Sequence, residues 1–547
     1  MNSNKNDKQK GKSITDQICD IDNKILDLLS KRSDLLKKAA QARGQKKISI
    51  VDSEQEKRIW KKWYENSEKL DLNEKLLKKI FHFSNALGYQ KAEEKSEEQF
   101  ALSPTTKEAN INITGPRDRD LTRFWLSIAA LCSTAIKIEP AILNDTNIEL
   151  AKAMNMADGN FAWEKSGIGK EAGGMLDFEQ KLIFVGGDSI NLYLLAVLAI
   201  LEPGYCKFTG NSELKVQNLN HVYEFLPQLG ARAVPLIPGN EGLPIRIESS
   251  GELAEEIFFA EDAPEEFVAV VCLCLPFMNN AGKTEEFRLQ WPSPFTTYSR
   301  LERVASVLRY CGIKADLGDC EFRVKLKDKP TCPQVPEISL DPALSAYVLV
   351  MPRILGGVVQ LQGEFPDWTT DGKLVKDILS ALGVSLENYP EKVVAARSET
   401  LDGRIQLDIS TRSELYPLCL ALGLVLPNPV AIRSAEEDMA DFGIFLLDKL
   451  GASYQQEDDT LEIMDCPTSS PEKVNISVPD AWWGLAVALV SLKRPGIVLG
   501  NPGELTRLWP YFWHLYKGLP DPQVTGKKGD NTLSNSSQRS KRRRKVE

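Results

Sequence analysis

Apolar positions along this chain fall into two textures. Over the first hundred residues they recur at spacings of four and three, so that Ile14, Ile18, Ile21, Ile25, Leu28, Leu35, Ala39 and Ala42 trace one stripe of a long helix. From about residue 99 a different phrase repeats six times: an apolar run of helical character, a turn, then an alternating, strand-like run. The copies lie at 123–138, 192–208, 267–289, 346–361, 415–432 and 481–499. Repetition of this kind decides architecture before any single residue does.

A second phrase interleaves with the first, a helix closed by Gly and followed by a strand, a polar turn and another strand. It occurs around Gly230, Gly312, Gly383 and Gly451, with a weaker copy around Asn155. Gly and Asn tolerate the left-handed backbone that closes a helix. Each period therefore holds two helices and several strands, a βαβ-type unit too long for a solenoid repeat.

Composition adds limits. The chain has 547 residues, 42% of them hydrophobic, enough for several cores. A net charge of −9 gives no global attraction for nucleic acid or membrane. The longest apolar run, 192–201, is about half of what spans a bilayer, and the first residues lack the apolar core of a signal peptide. Ten scattered cysteines, with Cys272 and Cys274 alone close together, indicate neither a disulfide framework nor a zinc site. With His82, His221 and His514 as its histidines, the chain supports no histidine-rich metal site or Ser-His-Asp triad. The expected location is cytoplasmic. Gly167–Gly174 (GIGKEAGG) lacks a phosphate-loop signature and reads as a flexible turn.

Residues 14–98 read as a three-helix, all-α domain, with a second helix starting after Asp52 and a third over about 73–97. So thin a core predicts a homodimer. Arg32 interrupts the apolar stripe, and Arg43 falls almost on the same face. Two such cations either snorkel to the surface or meet a small dicarboxylate in the bundle. The run ITDQICDIDNKILDLLSKRSDLLKKAAQAR, followed by Asp52, Glu56 and Gln90, resembles the type II chorismate mutase family. That resemblance implies that Arg32, Arg43, Asp52 and Gln90 hold chorismate. Thr15 and Gln55 stand where the family usually has arginines, and Ala86 where it has a hydroxyl.

The remainder resembles the 5-enolpyruvylshikimate-3-phosphate synthase family, through TGPRDRDLTRFWLSIAAL, FVGGDSINLYLLAVLAI, TGNSELKVQNLNHVYEFLPQLGA, LDISTRSELYPLCLALG and VPDAWWGLAVAL. The resemblance implies an α/β enolpyruvyl transferase fold of two lobes, each with three βαβαββ units, and a site in the cleft between them. It implies lobes of 99–114 plus 341–522 and of 115–340; the polar composition of 1–13 and of the basic tail 523–547 predicts disordered ends. The expected reaction joins shikimate 3-phosphate to phosphoenolpyruvate with no metal or other cofactor. By position Arg119, Arg123, Lys215, Ser293, Arg433 and Arg507 would bind substrate, and Glu414 and Glu436 would move protons.

Several expected charges differ. The family's lysine falls near Asp118, flanked by Arg117 and Arg119, while Tyr193 and Met439 stand at arginine positions, Ala435 at the catalytic lysine and Trp482 at another arginine. Ser189 fills a glycine position, and Pro264, Glu265 and Glu266 replace a Ser-Ser-Gln phrase. A family member with these exchanges is either a transferase or a degenerate homologue that regulates, scaffolds, or keeps mutase activity alone.

Overall fold

A computed structural model describes residues 14–45, 53–70, scattered positions between 77 and 85, and 99–520 apart from 103–104, 106, 165, 238–240, 251–256, 278–285, 326–330, 399–400, 402, 435–439 and 467–472. The chain divides into two compact units. The first comprises Met1–Phe100, Asp118–Ile338 and Leu499–Trp509; the second comprises Ala101–Arg117, Ser339–Val498 and Pro510–Glu547. Where the sequence suggests a continuous lobe over 341–522, residues 499–509 group with the first unit.

The N-terminal segment forms α1 (Ile14–Gln45) and α2 (Ser53–Leu70). Leu77, Lys78, Ile80, Phe81, Ser84 and Asn85 are helical; the rest of the expected third helix, 73–97, lies outside the described residues. Phe81 is buried against Trp60 and Trp63, at ring centroid distances of 5.4 and 5.2 Å. The α1 stripe is different. Ile14, Ile18, Ile21, Ile25, Leu28 and Leu35 are all exposed, Ile14 at 78% and Leu35 at 67%. One copy of so small a bundle cannot cover every apolar face that its periodicity creates.

The sixfold phrase becomes six inner helices, each followed by a strand. In the first unit α3 (Arg119–Leu131) leads to Ile136–Ile138. Past α4 (Asp145–Met156), α5 (Ser189–Ala199) leads to Gly204–Thr209 and α6 (Glu265–Cys274) to Glu286–Gln290. α7 (Ser299–Tyr310) follows as an outer helix. In the second unit α8 (Pro342–Leu349) precedes Gly357–Gln362, and past α9 (Thr370–Ala381) come α10 (Tyr416–Val425) before Val430–Arg433 and, after α11 (Ala440–Leu450), α12 (Ala481–Ser491) before Ile497–Gly500. α5, α6, α8, α10 and α12 are apolar almost all round, which is why they are buried at the centres of their units.

The sheets repeat with the helices. Leu182–Phe184 runs parallel to Gly204–Thr209, which pairs antiparallel with Ile245–Ser249, and that strand with Ala231–Pro235. The same parallel-antiparallel-antiparallel order recurs from Ile257–Phe258 to Ala315–Leu317, from Ala109–Thr114 to Val384–Tyr389, and from Ile405–Asp408 to Ser453–Glu457. Two three-stranded sheets complete a set of six among the described residues. These are the βαβαββ units.

Gly230, Gly312, Gly383 and Gly451 all have φ between 64° and 73°, as helix-closing glycines should. The weaker copy differs. Asn155 stays within α4, and the left-handed residue is Asp158 at φ 63°. Asn155 instead clamps the next strand, its amide and oxygen each 2.7 Å from the backbone of Phe161. Gly167–Lys170 is a strand, not a flexible turn; it pairs on both sides, with Ile136–Ile138 and Phe161–Glu164. The side chains of Cys132, just past α3, and Cys332 face each other. Two scattered cysteines 200 residues apart leave no pairing signature in sequence.

Candidate functional site

Helix N-termini carry unpaired amides and partial positive charge, so they attract anions. In the first unit the chain supplies those anions itself. Asp118 caps α3, its Oδ1 accepting from Leu121 N at 2.8 Å, and Asp188 caps α5 through Asn191 N at 3.1 Å. α7 has no cap of its own. Glu265, from the first turn of α6, accepts from Arg300 N and Leu301 N at 3.0 and 3.1 Å and fills that role.

These carboxylates hold arginines in an alternating chain. Arg123 lies 2.7 Å from Asp188 and 2.8 Å from Asp120. Asp120 continues to Arg300 at 3.2 Å, and Arg300 to Glu265 at 3.1 Å. Beside this chain Arg303 meets Asp118 at 2.7 Å and donates to Ser299 O at 2.9 Å. Burial alone would raise the Asp120 pKa, but Arg123, Arg300, Arg119 and Arg303 hold it well below the usual carboxylate range. Glu149 of α4 approaches the loop before α5, accepting from Gly187 N at 3.3 Å; burial pushes its pKa up.

The second unit shows a smaller version. Arg412 is nearly buried and lies 3.3 Å from both Asp371, at the start of α9, and Glu414, in the turn before α10. Asp480 caps α12 through Trp482 N and Trp483 N, at 2.8 and 3.1 Å. Trp482 also packs on Tyr347, whose hydroxyl donates to the Trp482 carbonyl at 3.3 Å.

Of the sequence-derived candidates, Arg123 belongs to the first network, Arg119 acts on its Asp120 through charge, and Glu414 belongs to the second. Arg433 is exposed at a strand end, 2.8 Å from Asp459 and 3.4 Å from Asp408. Arg507, on the short helix Gly503–Leu508, is exposed and pairs with Glu504 and Asp145 at 3.2 and 3.5 Å. Lys215 is half-buried on the helix Ser212–Val216, and Ser293 is exposed in the bend after Trp291; neither is a member of the alternating chain. Glu436, with Ala435 and Met439, lies outside the described residues.

In the N-terminal domain Arg32 donates to Ser84 O at 2.8 Å and to the Asn85 side chain, with its guanidinium over the rings of Trp63 and Phe81. It is neither free at the surface nor aimed at an empty core. Asp52 and Gln90, and the side chain of Arg43, lie outside the described residues.

Sequence reasoning missed Arg300, Arg303, Asp120, Asp188, Arg412 and Asp371 as members of these networks. One signal was present: Arg300 in the first turn of a helix, with Arg303 just beyond it, opposes the helix dipole unless carboxylates meet the pair.

Two units of repeated βαβαββ sheets, with charged groups gathered at inner-helix N-termini, define an enolpyruvyl-transferase type of protein. A family model for EPSP synthase (3-phosphoshikimate 1-carboxyvinyltransferase) matches residues 183–515, and one for type II chorismate mutase matches 14–84. The chain belongs to the EPSP synthase family and carries a chorismate-mutase-type helical domain at its N-terminal side. Among its relatives, the 3-phosphoshikimate 1-carboxyvinyltransferase of Methanothermobacter thermautotrophicus is 22% identical over 59% of this chain and 75% of its own. That of Nostoc punctiforme is 20% identical over 74% and 95%. An EPSP synthase structure from Acinetobacter baumannii superposes with a TM-score of 0.64 at 15% identity, over 77% of this chain and 98% of its own. The enolpyruvyl transferase NikO from Streptomyces tendae gives 0.61 at 14% identity, over 78% and 98%. Among the described residues, no helix is long and apolar enough to cross a membrane.

Proposed function

We propose that this protein serves chorismate and aromatic amino-acid biosynthesis, with a synthase-like region whose helix-end cations are committed to the chain's own carboxylates. On this reading the large region is a degenerate transferase that regulates or scaffolds the pathway, and mutase chemistry belongs to the N-terminal domain. The observation that carries it is the double ion pair of Arg123 with Asp120 and Asp188. A substrate anion would have to displace one of them. Breaking a buried charge pair costs about 2 to 5 kcal/mol, which weakens binding by roughly 30- to 5,000-fold.

A second reading has one specific support: Glu414 keeps a partly exposed carboxylate beside Arg412. It is enolpyruvyl transfer from phosphoenolpyruvate to shikimate 3-phosphate, with Glu414 and Glu436 moving protons and Arg119, Arg123, Lys215, Ser293, Arg433 and Arg507 holding substrate. Growth of a synthase-deficient cell separates the two. Failure of rescue by a well-expressed chain fits the first reading, and rescue overturns it.

The exposed apolar stripe of α1 supports a homodimer through the N-terminal domain, where Arg32, Arg43, Asp52 and Gln90 would contact chorismate. The pathway's small charged substrates fit a cytoplasmic setting.

A further inference from the structure

A cavity of about 280 Å³ opens in the first unit, with no member of the alternating chain among its lining residues. Its apolar sides are Phe225, Phe258 and Phe259, and its polar groups include His221, Glu224 and Gln228. Phe225 and Phe259 stack face to face, 4.4 Å apart and 4° from parallel. Gln228 fixes the wall by accepting from Phe258 N at 2.8 Å and donating to Phe258 O at 2.7 Å. The cavity is therefore preformed rather than gathered around a ligand.

Size and charge narrow what fits. A cavity of about 150 Å³ takes benzene, so this one takes a single ring with a short side chain. His221 is buried and uses Nε2 on the Tyr193 hydroxyl at 2.9 Å; its Nδ1 has no partner among the described residues. Burial lowers the His221 pKa, against the pull of Asp262 and Glu266, which favours the neutral ring. Among the described residues no Lys or Arg lines the cavity, and the nearby charges of Glu224, Asp262 and Glu266 are all negative.

We propose that this cavity binds a small aromatic amine, its ring against Phe259 and Phe258, a polar substituent at His221 and its ammonium at Glu224. An aromatic amino acid is excluded by its carboxylate, which would meet the same acidic rim.

Titration calorimetry of the full chain with tyramine tests this, with N-acetyltyramine and L-tyrosine as comparators. Saturable tyramine binding is expected, with both comparators about tenfold weaker or more. In Glu224→Gln the preference for tyramine over N-acetyltyramine should vanish while the thermal midpoint stays at the wild-type value, because Glu224 is exposed. The proposal is overturned if tyramine fails to bind at millimolar concentration, if L-tyrosine binds as tightly, or if Glu224→Gln keeps the preference.

Discussion

Arg303 Nε lies 2.7 Å from Asp118 Oδ2, and both side chains are buried. The family resemblance expects a lysine near Asp118, which Arg117 and Arg119 flank; here the Asp118 carboxylate is paired within the chain. The pair joins the start of α3 to the start of α7.

Removing one partner should therefore cost stability. Asp118→Asn leaves Arg303 buried without its anion, a loss of about 3 to 5 kcal/mol in the unit that holds it. The expected result is a clearly lower thermal midpoint, partly restored by the second change Arg303→Met. An unchanged midpoint would mean that the pair is not formed.

Asp188→Asn should loosen the hold on Arg123 and open an anion seat. Calorimetry with phosphoenolpyruvate is expected to give affinity about tenfold tighter than wild type. Equal affinity in both proteins would count against the neutralisation argument.

The Asp480 carboxyl is pushed up chiefly by burial, with Glu414 adding to the effect, against the amides of Trp483 and Trp482. A carboxyl whose folded pKa exceeds its unfolded value of about 3.9 destabilises the native state as pH rises through that folded value. Asp480→Asn keeps a cap acceptor and removes the ionisation. Its thermal midpoint relative to wild type should be higher at pH 7 than at pH 4; a difference of the opposite sign would contradict the assignment.

Ile18 and Ile25 are exposed on α1. If a second copy covers them, Ile18→Glu with Ile25→Glu should convert a dimer to a monomer in light scattering while leaving helix content unchanged. A wild-type monomer at micromolar concentration would remove the reason for the dimer.

Much of the architecture was legible because packing leaves a periodic record. α5, α10 and α12 announce themselves as helices apolar on every side, and Gly230, Gly312, Gly383 and Gly451 mark helix ends because each needs a left-handed backbone. The site was less legible. Asp118 and Arg303 are 185 residues apart, and nothing local ties them. Arg123 stands out in the sequence as a cation, but nothing local marks Asp188 as its partner, since that pairing is set by how α3 and α5 meet. The strand Gly167–Lys170 was missed because two glycines in four residues look like a turn, although neighbours on both sides complete its ladder.

The most direct measurement is phosphate release from phosphoenolpyruvate and shikimate 3-phosphate by the purified 547-residue chain. Internal pairing of Arg123, Arg300 and Arg303 predicts no release above a protein-free blank. Sustained turnover with both substrates, abolished by Glu414→Gln, would contradict the account.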